Sequence, residues 1–241
     1  MMRIFLVSKA GAFFLIALAL CGCDIRVQEL PVAKKLEESC SKYVQVGSEQ
    51  PGQAAIGRLD AMDFTCIPPV LDSLASNPYD AKVARAAIAF LDRLGWRQEG
   101  TTDPVKSLAA LAALTYLAQN AGKDDALGFR LGTYSESIRA HVSSGLGEVG
   151  VRATNLLSII KDDKDVKLFS KNALSDDDAL LAVSVFALAQ NCSEVATGEL
   201  RALLSSSRVV AYLKKYEGKE SITRTVARDC PAANSKGAGS K

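Results

Sequence analysis

Histidine is nearly missing from this 241-residue chain, which carries it only at His141. One imidazole leaves little acid–base capacity near neutral pH, and no serine or cysteine can be assigned an arranged base to activate it. His141 itself reads as a residue on a partly exposed helix. There is no C-x-x-C pair, so a thioredoxin-like redox site and a c-type haem site lack their cysteines, and one histidine is too few for a zinc cluster. No glycine-rich phosphate cradle is present either, because Gly145, Gly147 and Gly150 follow no strand-like segment. Aromatic residues are only 6% of the chain and alternating period-two stretches are scarce, which leaves a sheet without its pattern.

Acidic residues do cluster, at Asp162, Asp163 and Asp165 and again at Asp176, Asp177 and Asp178. A calcium loop needs alternating oxygen ligands, a turn glycine and a distal Glu. The segment "DDKDVKLF" has neither the glycine nor the Glu, so these acids read as turn residues and helix caps. No metal ligands and no cofactor are expected.

At the N-terminus the pattern is clearer. Arg3 and Lys9 supply positive charge, and Ala10 to Leu20 supplies an apolar run. That is the order of a secretory signal, and the run is shorter than the roughly 20 apolar residues of a membrane span. It ends in Leu20-Cys21-Gly22-Cys23, which resembles the lipobox of bacterial lipoproteins, with Leu at −3, Gly at −1 and the modified Cys at +1. The resemblance implies that signal peptidase II cuts before Cys23 and that acyl chains on Cys23 tether the chain to a membrane. Each buried CH₂ of such chains contributes about 0.8 kcal/mol. Asp24, next in line, is similar to the residue that retains enterobacterial lipoproteins in the inner membrane. The expected location is the bacterial cell membrane, facing the periplasm. An ordinary signal peptide and a retained anchor, extended back through Ile4 to Val7 with Lys9 inside it, are the alternatives.

The formal net charge of +2 is carried by the precursor, and removal of Arg3 and Lys9 brings the mature chain to about zero. Nucleic-acid binding needs a basic face, and secretion argues against it as well. Charge is nevertheless uneven. Eight acids face four lysines between Lys161 and Leu200, whereas nine basic residues face three acids from Arg201 onward. That polarity fits either solvated helix faces or complementarity to a partner or an anionic lipid surface.

Apolar residues recur at helical spacing. Val83, Ala87, Ile88 and Leu91 form one stripe, and Leu108, Leu111, Ala112 and Thr115 a second. Val149, Ala153, Leu156, Leu157 and Ile160 form a third, and Leu181, Val185, Leu188 and Ala189 a fourth. Asp103-Pro104 reads as an N-cap followed by a first-turn proline, Pro68-Pro69 opens another helix, and Ser175 reads as a cap with Asp178 three places on. Asn77-Pro78, Gly95, Gly122, Gly145 to Gly147 and Gly218 punctuate the segments. Val151-Arg152, Ala153, Asp176 to Asp178 and Leu180-Leu181 resemble HEAT-type repeats, in which an acidic turn and a Val-Arg pair precede an alanine-rich helix, and "DAKVARAAIAFL" echoes them. The fold class expected is all-α, an α-solenoid of HEAT-like antiparallel hairpins, with a compact irregular bundle as the alternative. The organisation expected is a signal peptide over 1–22, a linker over 23–30, one helical domain over 31–230 and a disordered tail over 231–241.

A helical-repeat surface favours extended protein partners. The expected role is therefore a membrane-anchored adaptor or scaffold that binds a protein of the cell envelope, with no enzymatic activity. Glu136-Ser137, with Ser143, Gly145 and Gly147 downstream, also faintly resembles the Glu-Ser motif of lytic transglycosylases, with Glu136 as general acid. The downstream Gly-Leu-Met-Gln block of that family is absent and the spacing is too short. A murein enzyme and a small-ligand-binding lipoprotein stand as alternatives.

If Cys21 leaves with the signal and Cys23 is lipidated, Cys40, Cys66, Cys192 and Cys230 remain. An even number in an oxidising compartment reads as disulfides, and four cysteines allow three connectivities. Pairing Cys40 with Cys66 and Cys192 with Cys230 would staple each end of the array, where a terminal repeat has only one neighbour. Non-reducing peptide mapping is expected to return these two links; a Cys40–Cys230 peptide would exclude them.

Overall fold

The computed structural model describes residues 40, 43, 59, 61–75, 79–97, 102–123, 127–144 and 147–216. These residues build α-helices joined by short turns, with no strand among them, so the chain is all-α. The helices are α1 (Ile67–Ala75), α2 (Ala81–Arg93), α3 (Pro104–Gln119), α4 (Ser135–Ser144) and α5 (Glu148–Ile160). They continue as α6 (Val166–Asn172), α7 (Asp178–Asn191), α8 (Glu194–Leu203) and α9 (Ser207–Tyr216). Single 3₁₀ turns precede α1, α4 and α6, at Phe64–Cys66, Leu131–Tyr134 and Asp163–Asp165.

The helix boundaries follow from side-chain chemistry. Asp103 caps α3 by accepting from the Val105 and Lys106 N–H groups at 2.9 and 3.4 Å, and Pro104 occupies the first helical position, where a missing N–H costs nothing. Asp80 caps α2 through the Lys82 N–H at 2.8 Å, and Ser193 caps α8 through the Ala196 N–H at 3.1 Å. Pro68 and Pro69 fill the first turn of α1, as the sequence predicts. At the other end of α2 the Trp96 N–H reaches back to the Leu91 carbonyl at 3.1 Å. That closure needs a left-handed residue in between, which Gly95 supplies at φ +63°. One cap lies elsewhere than expected. Asp177, not Ser175, caps α7, accepting from Ala179 and Leu180 at 2.8 and 3.1 Å. The Ser175 hydroxyl instead accepts from the Asp177 N–H at 3.1 Å and shapes the turn before it.

Packing is organised around α3, α5 and α7. α3 packs on α5 and α5 on α7, while α1 and α2 cover α3, α4 covers α5, α6 covers α7, and α8 lies against both α6 and α7. The three middle helices have no exposed stripe over their central turns. Every residue from Ala109 to Ala118 of α3 and from Gly150 to Ser158 of α5 is buried. In α7 burial takes in Leu180, Leu181, Val183, Ser184 and Val185, then Ala187, Leu188, Ala189 and Asn191. This corrects the expectation of one-sided stripes: Leu108, Val149 and Ile160, placed in the stripes, are only partly buried. The physical reason is the alanine content. Small side chains let neighbours close in around the helix, and a helix apolar on all sides belongs in a core. One contiguous core runs from Cys40 to Leu213 and holds Phe90, Trp96 and Phe169 at or near zero exposure.

Cys40 and Cys66 are disulfide-bonded, with Cα atoms 5.3 Å apart and 26 residues of separation. Closing a loop of that length removes about 3.5 kcal/mol of unfolded-state entropy. Cys192, the residue after α7, is also disulfide-bonded; Cys230, its expected partner, lies outside the described residues. So do residues 1–30 and 231–241, assigned to signal, linker and tail.

A buried charge sits in the middle of this packing. The Arg152 side chain of α5 has no exposed surface. Its two terminal nitrogens donate to both carboxylate oxygens of Asp72 on α1, at 2.9 and 2.5 Å, and its Nε donates to Glu148 one turn earlier at 3.1 Å. Burial works against the cation, but the bonds from Asp72 and the charges of Asp72 and Glu148 outweigh it, so the guanidinium holds its proton more firmly than usual. Arg152→Ala is expected to lower the unfolding free energy by about 3–5 kcal/mol in denaturant melts, because it leaves two nearly buried carboxylates without their counter-charge. An unchanged midpoint would remove the pair from this role.

Candidate functional site

Among the described residues, three polar clusters and a cavity stand out against the apolar packing. The first gathers around the lone histidine. Contrary to the sequence expectation, His141 is buried, at 6% exposure, because Trp96 stacks on its ring with centroids 4.5 Å apart. The Ser137 carbonyl lies 2.6 Å from Nδ1, which fixes the proton there, so that Nε2 accepts from the Ser107 hydroxyl at 2.9 Å. Ser137 donates in turn to the Trp96 carbonyl at 2.5 Å. A serine hydroxyl on an oriented imidazole is the pairing nucleophilic catalysis uses, but Ser107 is 2% exposed. The cluster instead joins α3, α4 and the turn after α2.

The second cluster is acidic. Arg139 on α4 donates to Asp165 at 2.6 and 3.2 Å, to Asp162 at 2.8 Å and to Glu136 at 2.6 Å. These bonds, led by Asp165, raise the Arg139 pKa. Asp162 also caps the turn before α6, and the Lys164 N–H together with Arg139 holds its carboxyl below the usual range. Asp178 pairs with Arg208 at 2.6 Å and Asp177 caps α7. Asp162, Asp165, Asp177 and Asp178 therefore serve as caps and ion-pair partners. Among the described residues no group of three or more His, Cys, Asp or Glu could hold a metal ion. Glu136, the residue of the transglycosylase resemblance, has a side chain 84% exposed and paired with Arg139; it does not line the cavity.

The third cluster joins α6 to α8. Glu199 accepts from Lys167 and from the Ser170 hydroxyl, the latter at 2.6 Å. The Lys167 bond first, then the Ser170 bond, holds the Glu199 carboxyl below its usual value.

The cavity, of about 300 Å³, opens where the start of α2 and the end of α3 meet the segment leading into α4. Leu117, Leu127 and Phe129 give it an apolar wall, and Tyr79, Asn120 and Arg130 give it polar edges. Gly122 and Gly128 rim it with left-handed backbone, at φ +83° and +61°. The Phe129 ring is fixed by stacking on Tyr134, 6.0 Å away, whose hydroxyl accepts from Arg97 at 3.0 Å. The Asn120 amide nitrogen donates to the Tyr116 carbonyl at 2.8 Å, and its oxygen accepts from the Lys123 ammonium at 3.0 Å.

Of the residues singled out in the sequence, Cys40, Cys66 and Cys192 fall where described above. Cys23, Asp24 and Cys230 lie outside the described residues, and with them the lipidation and sorting expectations. Sequence reading takes Gly122 only as punctuation and misses the cavity as a site; the available signal was a second glycine, Gly128, inside the apolar-then-basic "ALGFR". Among the described residues no helix is long and apolar enough to cross a membrane. No protein family, curated protein or solved structure matches the chain.

Glu199 gives a pH prediction. A carboxyl held below its unfolded value binds fewer protons when folded, so its contribution is full at neutral pH and is lost as pH falls through the folded value. Glu199→Gln is expected to melt below the native chain at pH 7, with the difference closing between about pH 5 and pH 3. A difference that stays constant across that range would contradict the assignment.

Proposed function

We propose that the chain is a lipid-anchored adaptor of the bacterial cell envelope. Acyl chains on Cys23 hold it at the membrane, Asp24 favours the inner one, and its helical hairpins bind another envelope protein. The observation that carries this reading is the order of packing. Each middle helix, α3, α5 and α7, lies against the next, and each is covered by the helix that precedes it in the chain. Stacked hairpins of a HEAT-like array pack in that order, and they leave a row of covering helices free to meet an extended partner. Arg152, of the Val-Arg pair that carries the repeat resemblance, bridges α5 to α1, as a residue tying one hairpin to an earlier one would.

The murein-enzyme reading fares worse. A general acid works best with its pKa raised towards the operating pH by burial, whereas Glu136 is exposed and ion-paired to Arg139.

Two measurements test the proposal. Metabolic labelling with a palmitate analogue is expected to mark the native chain and Cys21→Ala but not Cys23→Ala, which leaves the membrane fraction. Photocrosslinkers at Ala89, Ala140 and Lys171, exposed positions on the covering helices α2, α4 and α6, are expected to capture one and the same envelope protein. Labelling that survives Cys23→Ala would end the anchor reading. Failure to trap any protein at all three positions would end the adaptor reading.

A further inference from the structure

We propose that the seam between α5 and α7 is a hinge interface, and that the chain passes between a closed and an open arrangement in which α1–α5 and α6–α9 move as two units. This does not depend on the adaptor reading. Among the described residues, α5 against α7 is the one extensive helix pairing that joins the two halves. The covalent link between them runs through Lys161 and the turn Asp163–Asp165. Lys161 sits there in left-handed backbone, at φ +57°, without being glycine.

The bonds that lock helices together fall within one half or the other. Arg152 ties α5 to α1, and the Ser107–His141 and Ser137–Trp96 bonds tie α3, α4 and the turn after α2 to one another. In the second half Glu199 ties α8 to α6, and Arg208 ties α9 to the start of α7. Between the halves, the side-chain bonds of the described residues are those of Arg139 to Asp162 and Asp165. They stand beside Lys161, where the pivot lies.

The seam itself holds polar groups without partners. Val151 of α5 packs with Leu180 and Val183 of α7 in a small cluster apart from the main core. Thr154, Asn155 and Ser158 follow three, four and seven residues after Val151, and Ser184 and Asn191 follow four and eleven residues after Leu180. That spacing puts them on the faces the two helices turn to each other. All five are buried, and Thr154 and Ser184 have no exposed surface. The Thr154 and Ser184 hydroxyls and the amide nitrogens of Asn155 and Asn191 have no hydrogen-bond partner. The other described side-chain atoms in that condition, on Trp96, Gln119 and Asn172, lie on three separate elements. A buried polar group without a partner destabilises the closed arrangement by its lost hydration, and opening restores that hydration. Parting α5 from α7 therefore hydrates four groups at once, while each half keeps its own bonds.

The test uses the full chain as the cell processes it, held in nanodiscs, with spin labels on non-natural side chains so that the disulfides stay intact. Pulsed EPR between labels at the exposed Ala89 on α2 and Ala202 on α8 is expected to return two distances. Labels at Ala89 and Ala140, both in the first half, should return one. Thr154→Val combined with Ser184→Ala removes both orphaned hydroxyls and should cut the open population about tenfold or more. The same variant should melt higher, by about 2–4 °C for each hydroxyl removed. Ser184→Ala alone should act in the same direction to a smaller extent, and Thr154→Ser, which keeps its hydroxyl, should retain both distances. A single Ala89–Ala202 distance in the native chain, or two distances within the first half, would overturn the proposal. So would an open population that the double substitution leaves unchanged, or a lower melting temperature in that variant.

Discussion

A guanidinium with no exposed surface must be answered by charge within the protein, and Arg152 is answered on two sides. Removing such a cation from water is costly, and the cost is recovered only when its donors meet carboxylate oxygens in good geometry. Asp72 comes from α1 and Glu148 from the first turn of α5, so the pair fixes where α1 lies relative to α5. Since α1 and α5 both pack on α3, the ion pair and the apolar contacts fix the same three helices against one another. The apolar contacts resist separation but allow sliding; the bidentate bond has one length and one angle, and it removes that freedom.

Much of the fold could be read along the chain because helix ends are local chemistry. Asp103-Pro104, Pro68-Pro69 and Gly95 declare themselves in two or three residues, and the structure uses them as the sequence implies. Before α7, serine and three aspartates stand in a row as possible caps, and only the path of the chain selects Asp177 over Ser175. Which helices are central was not legible. A stripe of leucines in an alanine-rich helix looks one-sided when alanine is counted as neutral, yet in α3 and α7 the alanines are contact surface as well.

The clusters were harder to read, for a reason of distance. Arg152 and Asp72 are 80 residues apart, His141 and Ser107 are 34 apart, and Ser137 meets Trp96 across 41. Nothing in the neighbourhood of any of these residues names its partner. The Cys40–Cys66 bond was easier because sulfur has so few choices of partner.

The Cys40–Cys66 bond also sets how a pull would travel through the molecule. Tension applied from the N-terminal side of Cys40 passes through the sulfurs to Cys66, bypassing the 25 residues between them, and enters at the foot of α1. From α1 it has two exits: the covalent chain, and the Asp72–Arg152 bond that leads into α5. A chain tethered at one end would therefore feel drag at its first helix and, through Arg152, in the middle of its helical stack as well. Peeling the whole of α1 away from that end would have to break a buried ion pair.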